Sequence, residues 1–112
     1  MTTSAISVLL VDDHEVVRAG YHRLLESHPG ISVVAQATTG EEACQLYQQH
    51  HPDVIVMDLT MPGISGLEAS RRILAHDPAA RILVFSVHEN EVMLGRALDM
   101  GIKGYISKRS AS

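Results

Sequence analysis

The sequence is poor in several things, and each shortage removes a class of function. Its one cysteine, Cys44, cannot form an internal disulfide, which fits a reducing cytosol. There is no tryptophan, aromatic residues number four in all, and the only adjacent basic pairs are Arg71-Arg72 and Lys108-Arg109. A nucleic-acid surface needs clustered positive charge to displace counterions from phosphates. With a net charge of −4, these 112 residues are expected to bind no nucleic acid by themselves. No apolar run exceeds four residues, as in Val8–Val11, so no bilayer span and no membrane partner is expected. Met1–Ser4 show neither the basic segment nor the cleavage pattern of a secretory signal, and the expected location is cytoplasmic.

What is present is a regular alternation of short apolar runs and helical spacings. Hydrophobic residues at 46% and charged residues at 20% belong to a globular chain, long enough for one core and not two. Strands are predicted at Ile6–Val11, Ile31–Ala37, Val54–Met57, Ile82–Phe85 and Gly104–Ile106. Four of them are dense in aliphatic residues, as strands covered on both faces should be; the second is softer and suits an edge. Between strands, Val17, Tyr21, Leu24 and Leu25 fall on one helical face ahead of Pro29-Gly30. Ala43, Leu46 and Tyr47 do the same after Thr39, whose partner Glu42 makes a capping-box match. Ser65 and Glu68 repeat that signature after the break at Met61-Pro62-Gly63. A fourth helix is predicted over Glu89–Met100, closed by Gly101. This order predicts an α/β doubly wound sheet of parallel strands with helices on both faces. The chain stops at a polar tail with no helix after the last strand, so a fifth helix is expected to be absent or truncated near 108–112, or its place covered by another chain.

In open parallel sheets, functional groups gather at the carboxyl ends of the strands. The first strand runs into Asp12-Asp13, the third into Asp58 and the fourth into Ser86, and Lys108 follows the fifth. Taken singly, each has a duller reading. Asp12-Asp13 suits a helix N-terminus, Asp58 a loop acid, Ser86 with Glu89 another capping box, and Lys108 a solvated lysine. Those readings leave unexplained why all five fall at successive strand ends. Carboxylates at ~4 Å repel by about 4 kcal/mol per pair at an effective dielectric near 20, so such a cluster takes up protons or binds a cation. Oxygen donors favour Mg²⁺, which keeps several waters and accepts a phosphate oxygen. A carboxylate beside it can attack a phosphoryl group and form an acyl phosphate, with Lys108 and Ser86 neutralising the phosphoryl oxygens.

Val11-Asp12-Asp13-His14, then Val56-Met57-Asp58-Leu59-Thr60-Met61-Pro62-Gly63 with Gly66, then Ser86 and Tyr105-Ile106-Ser107-Lys108, resemble the receiver domain of response regulators. Asp12–Gly20 resembles the NarL/FixJ (LuxR-type) class more specifically, and the likeness runs from about Ile6 to Lys108. It implies a flavodoxin-like sheet of strand order 2-1-3-4-5. It also implies that Asp58 takes phosphate from a sensor histidine kinase, in a two-component phosphorelay. Mg²⁺ would be held by Asp13, Asp58 and the backbone carbonyl of Thr60, with Asp12 acting mainly through metal-bound water. Lys108 would contact the phosphoryl group, and Ser86 and Tyr105 would form the switch pair. The resemblance further implies a helix-turn-helix output domain that binds DNA in the full-length protein and controls transcription, with residues 1–112 as the receiver alone. Arg109 departs from the pattern, since many members carry proline after the lysine.

Other features are weaker. His50-His51 are neighbours near a helix end and cannot face one ion together on a regular helix. His14 follows the acid pair, where a bystander role is the commoner one. Arg71-Arg72 reads as a solvated face, and Met57 and Met61 as packing. Thr60, two residues past Asp58, is placed to tune water access to an acyl phosphate. A competing function is a small phosphatase or phosphotransferase of the haloacid-dehalogenase type. Those enzymes place a general acid two residues after the nucleophile, and here that residue is Thr60. Apolar surface left bare beside the first helix would favour a homodimer or exchanged elements.

Overall fold

The computed structural model describes residues 5–59, 61–86 and 91–107, and of Ser86, Glu91, Met93 and Ser107 the backbone alone. Thr60, Glu89, Lys108, Arg109 and Met1–Ser4 therefore lie outside the described residues. The elements alternate strictly: β1 (Ile6–Val11), α1 (Glu15–Glu26), β2 (Ile31–Ala37), α2 (Gly40–His50), β3 (Val54–Asp58), α3 (Gly66–His76), β4 (Ile82–Ser86), α4 (Glu91–Met100) and β5 (Gly104–Ser107). All pairings are parallel and the sheet order is β2-β1-β3-β4-β5, as the spacing and the resemblance predict.

The larger core lies on the side covered by α2, α3 and α4. Leu9, Val11, Ile55, Met57, Ile82 and Val84 from the central strands meet Ala43, Tyr47, Ala69, Ile73 and Ala97 from the helices. Burying each large aliphatic side chain contributes about 1.5–3 kcal/mol, so the central strands anchor the domain. The opposite layer is thinner: Val8, Leu10 and Val56 lie against Tyr21 and Leu25 of α1, with Phe85 alongside. Leu24 does not join it. It is 57% exposed and rims a small apolar recess of about 100 Å³ with Tyr21, Leu25, Val56 and Phe85, because the i+7 position reaches the edge of the one helix described on this side.

Three expectations need adjusting. β5 is the second edge strand, paired with β4 alone, so its described side chains Tyr105 and Ile106 are only half-buried. β3, β4 and β5 each run one residue beyond the predicted end, because pairing continues through Asp58↔Phe85 and Ser86↔Ser107. The caps are also less reciprocal than the capping-box pattern suggests. Thr39 accepts from the Glu42 amide at 3.1 Å, but Glu42 returns its bond to the Thr38 amide. Ser65 caps Glu68 likewise, while the Glu68 carboxylate turns to Arg71 and Arg72, whose hydrogen bonds pull its carboxyl down to about 2. A charged guanidinium is a stronger partner than a second backbone amide. Gly101 closes α4 as expected, in the left-handed region at φ 108.

Two contacts fix α3 in place. Gly66, the first residue of α3, donates to the Leu59 carbonyl at 3.0 Å, and a Cβ there would stand 2.1 Å from the Asp58 carbonyl oxygen. Only glycine lets α3 start this close to the end of β3. Farther off, the Tyr47 hydroxyl donates to Asp77, joining α2 to the end of α3. Burial, reinforced by that carboxylate, pushes Tyr47 up to about 12, and the tyrosine hydrogen bond, followed by the Ala79 amide, holds Asp77 below its usual 3.8.

Gly66→Ala is expected to lower stability by about 1–3 kcal/mol, because backbone rather than a side-chain tip must move; urea unfolding at neutral pH reads this directly. Tyr47→Phe tests the α2–α3 link. A carboxyl depressed in the folded state stabilises above its unfolded value and loses that contribution as pH falls through the folded one. A raised hydroxyl stabilises below 10.0 and loses its contribution on the way to about 12. The gap in urea midpoint between wild type and Tyr47→Phe should be widest between these limits and shrink at about pH 3 and about pH 11. A gap constant across that range would show that the pair does not set the difference.

Candidate functional site

The β1–β3 register assembles the site. Val11 pairs with Met57, so the next residues, Asp12 and Asp58, emerge side by side from the carboxyl ends of neighbouring strands. Both are buried, with relative exposures of 2% and 4%. Asp13 follows on the β1–α1 connection and is partly exposed. Ligand atoms of Asp12, Asp13, His14 and Asp58 all lie within 4.8 Å of one another. The structure therefore brings together the three acids that the strand ends single out.

Ser86 ends β4 one step beyond the residue paired with Asp58, and it pairs with Ser107 at the end of β5. Its backbone thus sits at the same edge of the sheet. Tyr105, in β5, is half-buried against the larger core, on the side of α2, α3 and α4. Thr60 and Lys108 lie outside the described residues.

Three charged acids at ~5 Å repel by about 3 kcal/mol per pair at an effective dielectric near 20. Burial deprives Asp12 and Asp58 of the water that would otherwise screen this. Asp13 Oδ1 is itself buried and takes no hydrogen bond. A set of carboxylate oxygens this close, one of them short of a donor, fits a hard divalent cation such as Mg²⁺.

Two residues that spacing alone did not single out shape the site. His14 places Nδ1 3.2 Å from Asp12 Oδ1 and 3.2 Å from Asp13 Oδ1, while its backbone N–H donates to Asp12 Oδ1 at 2.8 Å. Arg18, on the first turns of α1, donates to the Asp12 backbone carbonyl at 2.9 Å and to Gln36 Oε1 at 2.9 Å, fixing β1's end against β2. The resemblance over Asp12–Gly20 includes Arg18 but gives it no role, and its partner here is a backbone carbonyl. His14 adjoins the acids in sequence, but adjacency does not say which way a ring turns.

The remaining candidates do not join the acid cluster. Met57 is fully buried and Met61 lies against the core, as packing residues. Arg71 and Arg72 are exposed and paired with Glu68. His50 ends α2, and His51 takes the left-handed cap position with its ring edge-on to Tyr47. Cys44 lines a cavity of about 290 Å³ between α2 and α3, with Tyr47, Arg72 and Ile73 among its neighbours. Burial pushes its thiol up, away from the reactive thiolate.

Comparison with known proteins agrees with this geometry. Residues 8–112 match the response regulator receiver domain. Response regulator UvrY of Escherichia coli is 44% identical over 106 residues, covering 95% of this chain and 49% of that protein. A two-component response regulator of the LuxR family from Aurantimonas superposes with a TM-score of 0.90 at 48% identity, covering 94% of this chain and 75% of that one. A chain from a CheX–CheY–BeF3–Mg²⁺ complex of Borrelia burgdorferi superposes with a TM-score of 0.90 at 29% identity, covering 94% and 79%. The chain spans about half the length of the curated relatives it matches. Among the described residues no helix is long and apolar enough to cross a membrane. With sheet order, acid cluster and sequence likeness in agreement, the chain belongs to the response regulator receiver domain family, the phosphoacceptor switch modules of two-component phosphorelays.

Proposed function

We propose that this receiver accepts a phosphoryl group on Asp58 from a phosphohistidine of a sensor histidine kinase, and catalyses both that transfer and its own dephosphorylation. The observation that carries the proposal is the buried Asp58 carboxylate at the end of β3, grouped with Asp12 and Asp13 within 4.8 Å. An Asp58 oxygen attacks phosphorus, the P–N bond to the donor imidazole breaks, and its electron pair leaves with the imidazole. Hydrolysis reverses the modification: water attacks phosphorus, phosphate departs, and the carboxylate is restored.

Mg²⁺, when bound, would neutralise charge on the phosphoryl oxygens during transfer. Asp13 and Asp58 would hold it with the Thr60 carbonyl, while Asp12 would serve its outer shell. That both Mg²⁺ and the phosphoryl mimic BeF3⁻ belong to the Borrelia complex supports this assignment. Lys108 and the Ser86 hydroxyl are assigned to the phosphoryl oxygens. Ser86 and Tyr105 together form the switch, and a difference of a few kcal/mol between two arrangements suffices to move the population. In the full-length protein the switch would act in the cytoplasm on a helix-turn-helix domain that binds DNA, for which relatives twice this length leave room. A second copy of the chain is a further partner, across the apolar recess beside α1.

Incubation with Mg²⁺ and acetyl phosphate should add one phosphate per chain by intact mass. Asp58→Asn should abolish the addition, and chelation of Mg²⁺ should suppress it. Phosphorylation persisting in Asp58→Asn would overturn the assignment of the acceptor. Many equivalents of phosphate released from a simple phosphomonoester would instead favour a phosphatase.

A further inference from the structure

His14 occupies the position before α1, yet it does not act as a cap. Its backbone is extended, at φ −88 and ψ 108, and its side chain makes no capping hydrogen bond. The ring turns back over the acids instead, with Nδ1 3.2 Å from both Asp12 Oδ1 and Asp13 Oδ1. Packing does not hold it there, since the side chain is 62% exposed. The local anchor is the backbone N–H of His14 on Asp12 Oδ1 at 2.8 Å, which sets where the ring can reach.

These distances resemble the edges of a coordination polyhedron. In an octahedron with bonds of ~2.1 Å, adjacent donors stand about 3.0 Å apart and opposite donors about 4.2 Å. Here the edge between His14 Nδ1 and Asp13 Oδ1 measures 3.2 Å, and the whole four-residue group, with Asp12 on the outer-shell side, fits within 4.8 Å, so a contraction of about half an ångström would close His14, Asp13 and Asp58 on one ion. Asp13 Oδ1, buried and without a hydrogen bond, is one of the two oxygens the imidazole faces.

Donor chemistry then separates the candidate ions. Mg²⁺ prefers oxygen and gains little from an imidazole, whereas Mn²⁺ and the later first-row ions bind nitrogen progressively better. We propose that His14 is an additional ligand of the acidic site, one that engages when a divalent first-row transition-metal ion occupies it and shifts the site's preference toward such ions over Mg²⁺. The proposal rests on the metal site assigned above. The alternative use of the same geometry is a hydrogen bond from Nδ1–H to the carboxylates, which would steady the acids without regard to the ion.

Manganese distinguishes these uses. Mn²⁺ should bind the wild-type chain at one site from which excess Mg²⁺ displaces it, and pulsed electron paramagnetic resonance should show ¹⁴N coupling from a directly bound imidazole. His14→Asn should remove that coupling and weaken Mn²⁺ binding about tenfold or more, the scale on which even outer-shell partners act. Its Mg²⁺ affinity should stay within about twofold. Mn²⁺ bound and Mg²⁺-displaceable, but without nitrogen coupling, overturns the role of His14 and leaves the carboxylate site standing. Equal weakening of both ions in His14→Asn likewise overturns it in favour of the hydrogen bond. If Mn²⁺ and Mg²⁺ both bind wild type and Asp58→Asn alike, the metal site itself is wrong and the inference falls with it.

Discussion

The mutual repulsion of Asp12, Asp13 and Asp58 is the constraint around which this domain is arranged. Nothing in the acids themselves favours their meeting; each pair opposes folding while all are charged. They meet because β1 and β3 are neighbours in a sheet whose central strands are buried on both faces, with Leu9, Val11, Ile55 and Met57 almost fully enclosed. Parallel register then leaves Asp12 and Asp58 no choice of position. The apolar interior supplies the energy that holds a polar cluster unfavourable by itself, so a cation that neutralised the acids would stabilise the folded domain. Energy stored as repulsion is available to a ligand that relieves it.

The same dependence explains features that are otherwise unrelated. Gly66 exists as glycine because α3 begins against the carbonyl of Asp58. The constraint therefore extends from the acid's side chain to its backbone, where Gly66 at the start of α3 is bonded to the Leu59 carbonyl beside Asp58. Arg18 acts from the other side, gripping the carbonyl of Asp12 and the edge strand through Gln36. Charged and steric contacts thus fix the backbone beneath the acids, leaving the carboxylates to respond.

Much of this was legible in the sequence, and the limits were physical. Strand ranges could be read because parallel strands covered on both faces need continuous apolar runs, and Val54–Met57 or Ile82–Phe85 leave little alternative. Asp12, Asp13 and Asp58 could be read because strand ends in such a sheet share one edge. What failed was anything that depends on direction or on competition between partners. Leu24 shares a helical face with Tyr21, yet periodicity does not tell how wide a surface lies beneath that face. Glu68 has the spacing of a reciprocal cap, but two guanidiniums within reach bind it more strongly. The direction of His14 was hidden for the same reason: spacing puts it beside the acids, and only the turn at Asp12 aims its ring at them.

The edge position of β5 gives Tyr105 a setting unlike that of the acids. Tyr105 is neither sealed in the core nor free of it: it lies half-buried against the cluster that includes Ile82, Val84 and Ala97. A ring on a central strand would be locked by close packing on both sides, where even small volume changes are costly. A ring on an edge strand loses or gains only part of its burial when it moves, so two positions can differ by little energy. The acids need rigid central strands to be forced together, and the switch role proposed for Tyr105 would need the opposite. With the acids at the ends of β1 and β3 and the tyrosine on β5, the strand order would meet both demands within one sheet.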